Sequence, residues 1–249
     1  MKKGKVYLVG AGPGDPGLLT TKARDVLERA DVIVYDRLIA RQILRRLPKR
    51  IVKIYVGKTS GSHSIPGQDA IPTILAANAM KGKVVVRLKG GDPFLLGRGG
   101  EEAQKLIEAG VDFELVPGIT SALAVPAYAG IPVTHRKYAS SVAIVTGHED
   151  PSKSKRVEWR KLATAVDTIV ILMGINNLQP ILKSLLDGGR DPECPVAIIE
   201  RGTTKHQRVT VGSIETMAAQ AVERRVRPPA VIIVGDVVNL HKELSWFKS

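Results

Sequence analysis

Gly90, Gly91, Asp92 and Arg98 stand in one stretch, Lys83 to Glu102 (KVVVRLKGGDPFLLGRGGEE), where an aliphatic run stops at glycines and a carboxylate. Val84 to Leu88 reads as a strand buried on both faces, and parallel sheets of such strands place their ligands beyond the strands' carboxyl ends. Gly90 and Gly91 have no side chains, so a ligand or a second backbone can approach closely there. Pro93 disfavours helical backbone at Asp92, which holds that carboxylate on a stiff loop. Two roles fit Asp92: a ligand-facing anion, or the cap of a tight strand-to-helix turn.

A second candidate lies near the start. Val6 to Val9 reads as a strand, followed at once by Gly10-Ala11-Gly12-Pro13-Gly14-Asp15-Pro16-Gly17. Helical spacing over Leu18 to Ala30 and a strand over Val32 to Tyr35, ending at Asp36, complete a βαβ opening. A dinucleotide loop would need backbone N–H groups converging on phosphate. Pro13 and Pro16 remove two of them, and Asp15 adds negative charge, so a neutral or cationic ligand suits this loop better. Asp36 and Arg37 could serve chemistry at a strand end, or form an exposed ion pair worth little.

Further strands stop at polar or glycine-bearing turns: Gly57-Lys58, Thr120-Ser121, Met173-Gly174 and Arg201-Gly202. Parallel strand ends share one sheet edge, so these turns are expected to line one cleft between two halves of the chain. For Thr120 and Ser121, helix capping competes with ligand binding. No Ser-His-Asp order, phosphate-binding loop or carboxylate pair specifies hydrolysis or phosphoryl transfer. Cys194 is the single cysteine, and His63, His135, His148, His206 and His241 show no ligand spacing, so no metal is expected.

Positioning these residues requires alternating strands and helices. Helices are expected near 39–47, 69–80, 101–109 and 121–129, with strands at 51–56 and 113–116. A long loop at 57–67, carrying Lys58 and His63, is of a length more often functional than inert. Gly130 to Arg136 reads as a hinge. Beyond it the pattern restarts, with strands at 141–145, 168–172, 196–200, 208–211 and 230–234, helices near 159–165, 178–186 and 214–225, and a short basic tail. The expected fold is α/β, as two consecutive α/β domains with mixed, largely parallel sheets. The domains are 1–134 and 135–249, with the active site in the cleft between them.

The 249 residues are 44% hydrophobic, ordinary for a globular chain, and carry 37 basic against 24 acidic groups, a formal charge of +13. Nucleic acid, a membrane surface or a polyanionic small molecule would all suit that charge. Aromatic residues make up only 4%, which argues against base-stacking platforms and against an RNA-binding module. The apolar run after the first lysines is too short for a signal peptide, and no stretch reaches the length of a membrane span. A cytoplasmic protein without nucleic-acid or membrane partners is expected.

Taken jointly, VYLVGAGPGDPGLLT, VIVYDRL, VGK, VVVRLKGGDPFLLGRGGEE, VPGITSALAVPAYAGIPVTHR, SVAIVTGH and PPAVIIVGDVV resemble the tetrapyrrole methylases over essentially the whole chain. The resemblance implies the fold of that family and S-adenosyl-L-methionine as methyl donor, leaving S-adenosyl-L-homocysteine. It also implies methylation of uroporphyrinogen III at C2 and C7 to precorrin-2 through precorrin-1, for siroheme and cobalamin-type tetrapyrroles, by a homodimer. Carried onto matching positions, it assigns donor binding to Pro13, Gly90, Gly91, Asp92, Leu95, Thr120, Ser121, Met173, Gly202 and Ala230, and proton transfer to Asp36 and Lys58. Residue type adds Arg37, Arg98, His135 and Arg136 as partners for substrate carboxylates. Another precorrin methylase, or a diphthine synthase acting on a protein side chain, is the alternative within the same resemblance.

Overall fold

The computed structural model describes residues 4–57, 70–149 and 154–248. Its contacts divide the chain into two compact units, Met1–Thr120 and Ser121–Ser249.

Among the described residues of the first unit, β1 (Lys5–Gly10), β2 (Val32–Tyr35), β3 (Val52–Tyr55), β4 (Val84–Lys89) and β5 (Phe113–Val116) form a five-stranded sheet in the order β3-β2-β4-β1-β5. Every pairing in it is parallel. The intervening helices are α1 (Thr21–Glu28), α2 (Arg41–Arg46), α3 (Ile71–Ala79) and α4 (Gly99–Glu108). Strand alternation sends Val9, Ile33, Val86 and Leu88 to one face, against Val26 of α1 and Ile43 of α2. Val6, Leu8, Val34 and Val85 point to the other face, against Leu75 of α3 and Leu106 of α4. Each such large aliphatic side chain contributes roughly 1.5–3 kcal/mol when removed from water. The Thr20 hydroxyl starts α1 by accepting the Ala23 N–H at 3.1 Å.

The second unit contains α5 (Ser121–Tyr128), β6 (Val142–Thr146), α6 (Trp159–Ala165), β7 (Thr168–Leu172), α7 (Leu178–Asp187), β8 (Pro195–Glu200), β9 (Arg208–Ser213), α8 (Ile214–Glu223), β10 (Ala230–Val234) and α9 (His241–Leu244). Its sheet runs β6-β7-β10-β8-β9. β6 and β7 are parallel, β10 is antiparallel to both β7 and β8, and β9 is antiparallel to β8. The fold is thus α/β with one wholly parallel and one mixed sheet. No helix of the described residues is long and apolar enough to cross a membrane.

The segment after β10 differs from the expected basic tail. Asp236–Leu240 forms a 3-10 turn with Val237 and Val238 fully buried, and α9 follows it. Trp246 donates its indole N–H to the Ala127 carbonyl at 2.9 Å, and Trp246 and Phe247 both pack on the Tyr128 ring. This strap fastens α5 to the second unit. The contact division therefore falls at Thr120/Ser121, and Gly130 to Arg136, expected as a hinge, lies inside that unit.

Candidate active site

Because the first sheet is parallel throughout, the turns after all of its strands meet at one edge. β1 leads into α1 on one face of the sheet and β4 into α4 on the other, so the chain parts between these adjacent strands. In parallel sheets such a parting, beyond the carboxyl ends of the strands, is the usual place of a ligand crevice. Gly10 to Pro13 and Gly90 to Asp92 line it.

Those turns are tied together by backbone. The Gly91 N–H donates to the Gly12 carbonyl at 2.7 Å, and the Gly12 N–H donates back at 3.2 Å. A Cβ on Gly118 would lie 2.3 Å from the Gly91 carbonyl oxygen, and one on Gly10 would lie 2.5 Å from Gly118, so only glycine allows this closeness. Asp92 completes the clamp. Its Oδ1 accepts the N–H groups of Phe94 (2.8 Å) and Leu95 (3.0 Å), and its Oδ2 accepts the Gly118 N–H at 3.1 Å. The capping role is what Asp92 performs here, extended to a second loop.

Asp36 follows β2 at the same edge, its side chain a quarter exposed. Its Oδ1 accepts the Leu38 N–H at 3.0 Å and its Oδ2 accepts from Arg87 Nη2 at 3.1 Å. Arg87 lies within β4, almost fully buried, and donates through Nε to Glu102 Oε1 at 3.2 Å. Lys89 reaches the same Oε1 at 2.8 Å, and burial lowers the ammonium pKa below its ordinary value, with Arg87's charge adding to that. A buried charge is tolerated only when paired, and this group of two cations and two carboxylates meets that condition.

In the turns after β2, β4 and β5 stand Leu38, Phe94, Leu96 and Ile119, apolar side chains that are all exposed. A ligand with flat apolar faces would cover such residues. The glycine turns, the carboxylate of Asp36 and this apolar rim fit an organic molecule that carries positive charge.

The remaining residues expected at the site fall as follows. Pro13 lies in the β1 turn, half-buried, and Leu95 and Thr120 lie in the turns after β4 and β5. Arg98, in left-handed backbone (φ 58°) at the start of α4, is exposed and donates to Glu101 Oε2 at 2.8 Å through Nε. Arg37 is exposed beside Asp36. Lys58 and His63 lie outside the described residues.

In the second unit, β7 and β8 run in the same direction, with β10 reversed between them, so Met173, Gly202 and Ala230 share one sheet edge. Met173 has left-handed backbone (φ 57°) and is 52% exposed, unusual for a large apolar residue. Gly202 is buried under α5, where a Cβ would strike the Val125 side chain at 2.4 Å. Ala230 pairs with Glu200 in register. Ser121 opens α5. His135 accepts the Lys137 N–H on Nδ1 at 3.2 Å and contacts the Tyr138 ring, and Arg136 is exposed.

The family model for Tetrapyrrole (Corrin/Porphyrin) Methylases matches residues 5–218, which take in the first sheet and every strand of the second but β10. The chain belongs to the tetrapyrrole methylases. It is 55% identical to an S-adenosyl-L-methionine-dependent uroporphyrinogen III methyltransferase of Methanosarcina barkeri, over 96% of this chain and 93% of that protein. Among solved structures it is similar to the uroporphyrin-III C-methyl transferase of Thermus thermophilus complexed with S-adenyl homocysteine, at 42% identity and a TM-score of 0.81, covering 95% of this chain and 94% of that one. A cobalt precorrin-4 methyltransferase matches in shape as well, with a TM-score of 0.83 over 94% of this chain and 95% of the other, but at only 27% identity.

Arg87, Lys89 and Glu102 are not among the residues that the sequence singles out. Their signal in it is an arginine inside an otherwise apolar run and a second acid in Gly99-Gly100-Glu101-Glu102. Val84, Val85, Val86 and Leu88 mark the run as a buried strand without showing what the arginine meets.

Proposed function

We propose that this chain transfers methyl groups from S-adenosyl-L-methionine to C2 and C7 of uroporphyrinogen III, forming precorrin-2 by way of precorrin-1 for siroheme or cobalamin-type tetrapyrroles. One observation carries the reading: the 55% identity to a uroporphyrinogen III methyltransferase runs over 96% of the chain. Shape does not choose between substrates in this family, since the precorrin-4 enzyme fits equally well. Sequence does, and it favours uroporphyrinogen III.

The donor supplies an electrophilic methyl on a sulfonium. Pro13, Gly90, Gly91, Asp92, Leu95 and Thr120 of the first unit, and Ser121, Met173, Gly202 and Ala230 of the second, are the proposed donor contacts. Asp92 serves by shaping its turn, both oxygens being engaged with backbone N–H groups. When the methyl moves, a carbon–sulfur bond breaks, a carbon–carbon bond forms on the ring, positive charge passes to the pyrrole and a proton must leave. Asp36 is the proposed anion that stabilises that charge and takes the proton, with Lys58 as a second proton-transfer residue. Alignment of reactants can contribute roughly 7–11 kcal/mol. A fixed carboxylate adds about 3 kcal/mol, judged from the loss of one oxyanion-hole donor. Geometry therefore dominates and Asp36 tunes.

Arg37, Arg98, His135 and Arg136 are proposed to meet the acetate and propionate groups of the macrocycle, which the formal charge of +13 would attract. A homodimer is the proposed assembly. The test is Asp36→Ala, with turnover measured at saturation and donor affinity by calorimetry. We expect kcat to fall by about a hundredfold, with donor affinity within a factor of about two. Normal kcat with weakened donor binding would refute the role of Asp36.

A further inference from the structure

Arg87 has no evident reason to be where it is. It stands opposite Leu8 and Val34 in the parallel register, on the face of β4 that packs against α3 and α4. A valine or leucine there would join the core at no electrostatic cost, whereas a buried guanidinium is expensive unless every donor is met.

Its hydrogen bonds lead in two directions. On the inner side, Nε donates to Glu102, in the first turn of α4, while Nη1 donates to the Leu88 carbonyl at 3.1 Å and lies 3.5 Å from the Val34 carbonyl. On the outer side, Nη2 reaches Asp36 at the carboxyl edge of the sheet. Glu102 is anchored in turn by Lys89, two residues further along the same face of β4. Because Lys89 shares Glu102, Asp36 supplies the second negative charge of the group, and the donors of Arg87 and of the Leu38 N–H together engage both of its carboxylate oxygens.

We propose that Arg87 is a positioning residue, held from inside by Glu102 and Lys89, that fixes the orientation of the Asp36 carboxylate toward the crevice. This rests on the reading of Asp36 as the group that meets developing charge on the ring. Arginine suits the task because its planar fork engages two carboxylates at fixed angles, whereas a lysine in its place offers one point of contact. The charged groups facing Arg87 are Asp36 from the end of β2, Glu102 from α4 and Lys89 from β4 itself.

The test is a double-mutant cycle on the full chain, with Arg87→Lys, Asp36→Ala and the pair assayed for methyl transfer from S-adenosyl-L-methionine to uroporphyrinogen III. We expect Arg87→Lys to lower kcat about tenfold or more, as small misplacements of a reacting group do, with little change in either KM. That loss should vanish in the Asp36→Ala background. A crystal structure of Arg87→Lys should show the Asp36 carboxylate turned away from its present orientation. If Arg87→Lys is unstable, Glu102→Gln, which keeps the side-chain shape, should give the same background-dependent loss. Equal losses in both backgrounds, or an unmoved Asp36, would make Arg87 a fold-supporting residue and overturn the inference while leaving Asp36's own role intact. Full activity in Asp36→Ala would instead remove that role, and this inference with it.

Discussion

Gly118 shows how much of the crevice depends on a missing side chain. Its backbone touches both Gly10 and Gly91, and its N–H is held by Asp92. Gly118→Ala would push a methyl into a carbonyl that the Gly12 pairing holds in place. We expect a loss of about 1–3 kcal/mol in folding stability, as for other overpacked sites, and at least about a tenfold loss in S-adenosyl-L-methionine affinity. Calorimetry and thermal unfolding of the variant measure both, and unchanged donor affinity would show that the turns need not be this close. Glycines 90 and 91 were legible in the sequence as a place of close approach. What they approach was not, because the partner loops lie some eighty and thirty residues away in sequence. Arg87 was illegible for a different reason: whether an arginine in an apolar run is a strand-edge charge or a buried clamp depends on Glu102 and Asp36, which only folding brings to it.

Strands and helices were the most legible level. The spans expected at Val32–Tyr35, Phe113–Val116, Trp159–Ala165, Thr168–Leu172 and Ala230–Val234 agree with β2, β5, α6, β7 and β10. Runs of β-branched residues bounded by glycine or polar turns leave little freedom there. Direction was harder. The reversal of β10 between β7 and β8 cannot be read from an apolar run, since such a run is equally buried either way round. A prediction at this scale concerns Glu114 on β5, which accepts from Lys5 of β1 at 2.6 Å and pairs with Lys22 of α1 at 2.5 Å. The hydrogen bonds from Lys22 and Lys5 hold its carboxyl well down, at about 2 against an ordinary 4.5. A lowered carboxyl pKa stabilises the fold above the unfolded value and ceases to do so as pH falls through the folded one. Glu114 is partly exposed, so the contribution, discounted for solvent screening, is about 1 kcal/mol. Glu114→Gln should therefore be less stable than the parent by that amount at neutral pH, with the gap closing between pH 4.5 and about 2. Urea unfolding across that range checks it, and a gap independent of pH would deny the ion pairs their part.

At the scale of the whole chain, the unit boundary was the least legible feature. Gly130 and Pro132 resemble a hinge, but the turn at Gly130 packs against the backbone of Leu244 and Ser245, and the aromatic strap at 246–247 secures α5 beside it. The tail, expected to be short and basic, is structural, and its Val237, Val238, Trp246 and Phe247 are spaced among charges that mask them. Function was legible at this scale through the joint occurrence of separated motifs, each of them weak alone. The proposed activity is tested most directly by incubating the pure chain with isotopically methyl-labelled S-adenosyl-L-methionine and freshly prepared uroporphyrinogen III, then following the macrocycle by mass and absorption. Transfer of two labels to each ring, through a singly labelled intermediate and located at C2 and C7, is the result expected; no label on uroporphyrinogen III, with transfer only to a more highly methylated corrin precursor, would contradict it.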